Sequence, residues 1–78
     1  MISYAPFWET LKKRGVSQYK LIRTYRISAG QINRLKKNMY ISTGTIDKMC
    51  HILDCQVEDI IKYTPDEAMG QEIERIRE

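Results

Sequence analysis

The stretch SQYKLIRTYRISAGQINRLKK, from Ser17 to Lys37, decides the fold. Leu21, Ile22 and Tyr25 fall at i, i+1 and i+4, which marks one apolar face of a helix beginning after Ser17. Ile27 and Ser28 interrupt that pattern. Ser28 is a good N-cap, because its hydroxyl can accept the free amides of a second helix carrying Ile32 and Leu35 inward. Turned outward on this second helix are Gly30, Asn33, Arg34 and Lys37, spaced i, i+3, i+4 and i+7. That face is polar and cationic and holds no acid. A helix of this kind, braced by another at a steep angle, has the size and chemistry to enter a DNA major groove.

Upstream, Ile2 to Tyr4 predict a short extended lead-in, and Pro6 suits the first turn of a helix, where its missing N–H costs nothing. That helix should carry Phe7, Trp8 and Leu11 to the core. It should stop at Lys12-Lys13-Arg14-Gly15, with cations on the dipole's negative end and glycine past the last turn. Downstream, Lys36, Lys37 and Asn38 close the second helix of the motif, and Asn38 suits a left-handed cap. Ser42 or Thr43 then caps a helix with a core stripe of Ile46, Met49, Cys50 and Leu53. Gln56 to Tyr63 reads as a short fifth helix with Ile60 and Ile61 inward. The phrase Thr64-Pro65-Asp66-Glu67 reads as a helix start capped by Thr64. Met69, Ile73 and Ile76 follow as a thin stripe on a short sixth helix, with Gly70 costing it about 1 kcal/mol. A lone helix of this length is marginal in water, so its stripe needs a host. Either the domain's own core edge or a second copy would serve.

Seventy-eight residues make one domain with a small core. We expect residues 1–63 to form it and residues 64–78 to be an acidic tail. No apolar run approaches the roughly 18 residues of a membrane span, and no signal-peptide pattern opens the chain, so the expected location is the cytoplasm. Cys50 and Cys55 form no CxxC pair. Beside His51 and Asp54 they are read as small core residues rather than metal ligands. Charge is segregated. Residues 1–63 hold eleven Lys/Arg against five acids, and residues 64–78 hold two against five. Between Glu9 and Asp47 lie nine cations and no acid, which calls for a polyanionic partner.

Gln18, Leu21, Ile22, Ile27, Ser28, Ile32 and Leu35 resemble, in order and spacing, the helix-turn-helix of the Xre-type, lambda-repressor/Cro-like regulators. The likeness extends through NMYISTGTIDKMCHILDCQVEDII and covers roughly Pro6 to Tyr63. It is similar to small stand-alone members that open Tyr-x-Pro-x-Trp and close on an Asp-Cys-x-x-x-Asp-Ile-Ile-x-Tyr-x-Pro-Asp-Glu phrase. The resemblance implies an all-α, five-helix lambda-repressor-like domain that binds double-stranded DNA without a cofactor, a small-molecule substrate or a membrane. It also implies that Ser17 and Gln18 touch the DNA backbone, and that Ala29 and Gly30 occupy base-reading positions.

Neither Ala29 nor Gly30 has a hydrogen-bonding side chain, so polar base contacts fall to Gln31, Asn33 and Arg34. Ser28, Lys36, Lys37 and Asn38 complete the candidate surface. Family members usually place glycine at the end of the motif's first helix, whereas this chain has Arg26. A positive φ there would cost about 1 kcal/mol. A protein-interaction module of the same fold, such as an antitoxin or antirepressor, is the alternative function. Catalysis is not expected, since the chain offers no carboxylate pair, nucleophile–base arrangement or phosphate loop. If the tail self-associates, the protein is a homodimer.

Overall fold

The structure, a computed structural model, describes residues 1–77, so Glu78 of the expected tail lies outside it. Its elements are β1 (Ile2–Ser3), α1 (Ala5–Arg14), α2 (Gln18–Arg23), α3 (Ala29–Lys36) and α4 (Thr43–Leu53). A single 3-10 turn at Val57–Asp59, β2 (Lys62–Tyr63) and α5 (Glu67–Arg77) follow. The fold is mostly α, as expected.

Local chemistry sets most of the boundaries. Ser17, Ser28 and Ser42 each stand in extended backbone and accept an amide hydrogen bond three residues on, from Lys20, Gln31 and Thr45. Gly15 ends α1 in the left-handed region at φ 65°, behind Lys12, Lys13 and Arg14 in the last turn. Asp54 ends α4 at φ 49°, and the Arg14 guanidinium donates to its carbonyl at 2.9 Å, joining the ends of α1 and α4.

The core gathers Tyr4, Phe7, Leu11, Leu21, Ile27, Ile32, Leu35, Met49, Leu53 and Ile60. Trp8 lies at its margin, edge-on to Phe7 with ring centroids 5.0 Å apart. Two expected faces are turned from where periodicity put them. In α2, Leu21 is buried and Ile22 exposed, and Tyr25, past the helix end, is half-buried. In α4 the inward line is Thr45, Met49 and Leu53, whereas Ile46 and Cys50 flank it. Thr45 tolerates burial because its hydroxyl is bonded to Gln31 and Ser42, both at 3.0 Å. Cys50 and Cys55 are free and half-buried. Burial pushes the Cys55 thiol up to about 11, with Cys50 and Asp59 adding to the rise.

The expected fifth helix, Gln56 to Tyr63, is corrected to the 3-10 turn followed by β2. Asp59 bonds the Gln56 amide at 3.0 Å and Thr10 donates to the Asp59 carbonyl at 2.8 Å, which fixes the turn against α1. The chain then straightens because β1 is there to pair with it. Ile2 faces Tyr63 and Ser3 faces Lys62 in an antiparallel ribbon, and the Thr64 amide extends it to the Met1 carbonyl at 2.8 Å.

With Thr64 committed to this ribbon, the last helix cannot begin there. Its cap is Asp66, whose carboxylate accepts from the amides of Ala68 (3.0 Å) and Met69 (3.5 Å). The helix itself forms as expected, but the domain's own core edge does not host it. No residue of α5 is buried, and Met69, Ile73 and Ile76 are 50%, 43% and 74% exposed. The chain is accordingly elongated, 49 × 22 × 18 Å. Its radius of gyration of 14.6 Å exceeds the about 11.5 Å of a compact chain this long.

Candidate nucleic-acid interface

Helices α2 and α3 follow one another across a short turn at residues 24–28. At the end of α2, Arg26 adopts φ 59°, so the turn takes the left-handed step without glycine. That step lets the Ile27 amide reach back to the Leu21 carbonyl at 3.0 Å while the Ile27 side chain enters the core. Ile27 thereby anchors the turn, and Ser28 launches α3 directly from it. On α3, Ile32 and Leu35 point inward. Ala29, Gly30, Asn33, Arg34 and Lys36 stay exposed, with Ser28 before them and Lys37 after.

Two anchors that periodicity could not reveal hold α3 in place. Gln31 donates from Nε2 to the Thr45 hydroxyl at 3.0 Å, tying the start of α3 to α4. Its Oε1 and its second N–H take no part in that bond. At the other end Asn38 takes the left-handed cap at φ 54°, and its Oδ1 accepts the Tyr4 amide at 3.0 Å. The buried Tyr4 hydroxyl donates to the Met39 carbonyl at 2.7 Å, and burial raises its pKa. Asn38 therefore braces the helix end while its residue surface remains exposed. Tyr4 was legible only as part of an extended lead-in, and its partners lie 34 and 35 residues away.

Beside α3 runs a cleft of about 360 Å³ lined by Ser28, Gly30, Gln31, Arg34, Ile41 and Ser42. Gly30 leaves its floor open, since a Cβ there would meet nothing nearer than Ser28 Oγ at 3.8 Å. Ser17 and Gln18 sit at the start of α2, with the Ser17 oxygen occupied in capping. Lys12, Lys13, Arg14, Lys20, Arg23, Arg26, Arg34, Lys36 and Lys37 are all exposed. Among the described residues the ion pair is Arg77–Glu74 on α5, so none of these nine cations forms one. Arg23 also lies over the Tyr19 ring, 5.6 Å from its centroid.

The sequence of residues 7–66 matches the model of the Cro/C1-type HTH DNA-binding domain. The chain belongs to that family. A search of curated proteins found no match. Among solved structures the chain is similar to one titled "Crystal structure of transcriptional regulator VanUg, Form II", with a TM-score of 0.75 and 28% identity. The match covers 83% of this chain and 87% of that one. The Cro/C1-type family is characterised by DNA binding rather than by a reaction. Among the described residues no helix is long and apolar enough to cross a membrane.

Proposed function

We propose that this Cro/C1-type protein binds double-stranded DNA in a sequence-directed way, as a transcriptional regulator of bacterial or phage type, with residues 28–37 in the major groove. Residues 1–63 form the DNA-binding domain and residues 64–78 an accessory tail, and two copies act on paired half-sites as a homodimer. The observation that carries this reading is the set of nine exposed cations of residues 12–37, none in an ion pair, together with an acid-free α3 face.

Lys36, Lys37 and the cations of α1 and α2 supply affinity through phosphates and counterion release, and Ser17 and Gln18 meet the backbone at the start of α2. Arg34 is the candidate for guanine, since its planar fork matches the two acceptors on that base edge. Asn33 suits adenine, and Ala29 can pack on a thymine methyl. Gln31, with one Nε2 hydrogen bonded to Thr45, keeps its Oε1 acceptor and a second N–H for a base edge. Asn38 serves by holding the end of α3 in place.

The test is a mobility-shift titration with random duplex DNA over a salt series, followed by selection from random duplexes. The expected result is a log K that falls by about 0.9 per phosphate contact for each unit of log salt, and a recurrent motif among selected sites. No shift at about 50 mM salt, where such contacts are strong, would overturn the proposal in favour of a protein partner.

A further inference from the structure

Cys50 and Cys55 are the two cysteines of the chain, and they meet where α4 ends. The Cys55 amide donates to the Cys50 carbonyl at 3.0 Å and the Asp54 amide to the His51 carbonyl at 3.4 Å, with Asp54 in the left-handed region at φ 49°. This nested pair of bonds is the Schellman ending, in which the residue after the left-handed one sets its side chain against the residue five before it. That contact is commonly apolar, and here both side chains are thiols. The 3.0 Å bond limits their Cα atoms to about 6.9 Å even with every link extended. An amide N–H points well away from its N–Cα bond, so the separation is shorter and falls inside the roughly 4.4–6.8 Å span of disulfides. The thiols themselves are near enough for Cys50 to act as a side-chain hydrogen-bond partner of Cys55.

Two chemistries use paired thiols. A structural metal ion needs further ligands, and among the described residues no group of three or more His, Cys, Asp or Glu is gathered to hold one. Oxidation needs just the two sulfurs. We propose that Cys50 and Cys55 form a modification site, a dithiol that a small disulfide oxidant closes into a Cys50–Cys55 bond across the end of α4.

Cys50 is the attacking thiol. It stands on the wall of a cleft of about 310 Å³ with Ile46, Val57 and Ile61, which gives a small oxidant a path to its sulfur. Cys55, its thiol pushed up to about 11 by burial, is short of thiolate and reacts second. The Cys50 thiolate attacks one sulfur of the oxidant RSSR, whose S–S bond breaks and releases RS⁻. The Cys55 thiolate then attacks Cys50 Sγ, the second RS⁻ leaves, and the intramolecular bond forms. Two cysteines are oxidised, one oxidant is reduced to two RSH, and the two cysteine protons end on them.

The closed ring encloses Asp54, whose carbonyl accepts the Arg14 guanidinium at 2.9 Å. Oxidation therefore fastens the joint between α1 and α4. Residues 50–55 take no part in the DNA-binding reading, and the inference does not depend on it.

The test uses the full chain at pH 8 with oxidised glutathione over a graded excess of reduced glutathione. Samples are quenched in acid, unfolded, alkylated and weighed by mass spectrometry. The expected product is a monomer about 2 Da lighter that takes up no alkylating agent, both thiols disappearing together at one redox poise. Cys55→Ser should stop at one glutathione adduct on Cys50, and form it faster than Cys50→Ser forms one on Cys55. A parent chain that collects separate adducts on each cysteine, links to a second chain, or keeps both thiols under oxidised glutathione alone would overturn the proposal. Equal rates in the two serine variants would overturn the order of attack. The bond itself is scored in the parent chain, so a variant that folds poorly does not decide the result.

Discussion

Arg26 offers the sharpest test of the fold, because one backbone angle carries the consequence. At φ 59° its Cβ crowds the following carbonyl, which costs an L-residue about 1–2 kcal/mol. The side chain returns little: it is exposed, and among the described residues it makes no ion pair. Arg26→Gly removes the strain and gives back about 0.4–1 kcal/mol through the larger freedom of the unfolded chain. The net gain is about 1 kcal/mol, which for a domain of this size raises Tm by roughly 4–8 °C. Arg26→Ala is the control, because it deletes the charge and keeps the Cβ, so its Tm should stay near the parent's. Thermal unfolding followed by circular dichroism at one protein concentration measures both, and the fixed concentration keeps self-association from moving Tm between samples. If Arg26→Gly melts no higher than Arg26→Ala, the strain argument is wrong.

Three further outcomes follow from the geometry. Arg34→Ala should cost about 1–3 kcal/mol on the selected site and little on random duplex, whereas Lys37→Ala should weaken both alike and lower the salt slope by about 1; filter binding across salt separates them. Tyr4→Phe deletes the 2.7 Å bond to the Met39 carbonyl and should lower stability by about 1 kcal/mol in urea titration, with the midpoint moved and the slope unchanged. With its thiol pushed up to about 11 from a reference of 9.0, Cys55 should hold about 100-fold less thiolate at pH 8 than an unperturbed cysteine, so its alkylation by iodoacetamide, read by mass spectrometry, should be slow. Since the folded value is the higher one, its contribution to stability is complete below pH 9 and fades as pH rises toward 11.

What was legible in the sequence is what local chemistry controls. Ser17, Ser28 and Ser42 declared their helices because a capping hydroxyl acts within three residues. Asn38 suited a left-handed cap by its own side chain, whereas at Arg26 only the family's usual glycine pointed to a positive φ, which the structure shows. The β1–β2 ribbon was not legible. Two-residue strands carry no periodicity, and each exists only because the other lies 59 or more residues away in sequence. That long-range pairing also misled the reading of Thr64, whose backbone the ribbon claims before it can cap a helix.

The α4 face was misjudged for a similar reason. Threonine at Thr45 scores as polar, and only Gln31 and Ser42 supply the hydrogen bonds that let it be buried. The same contact alters the site, since it uses one of the two Gln31 amide N–H donors and fixes the orientation of that side chain. No pattern within α3 could have shown this.

The ribbon also acts as the mount for a lever. Helix α5 leaves the domain three residues after β2 and extends about 16 Å. A tilt of about 10° at its base moves its tip by about 3 Å, close to the 3.4 Å rise of one base pair. The direction in which α5 leaves the domain is therefore set by how Ile2–Ser3 seats on Lys62–Tyr63. Changes at β1, remote in sequence from α3, should swing α5 while leaving the exposed α3 face untouched.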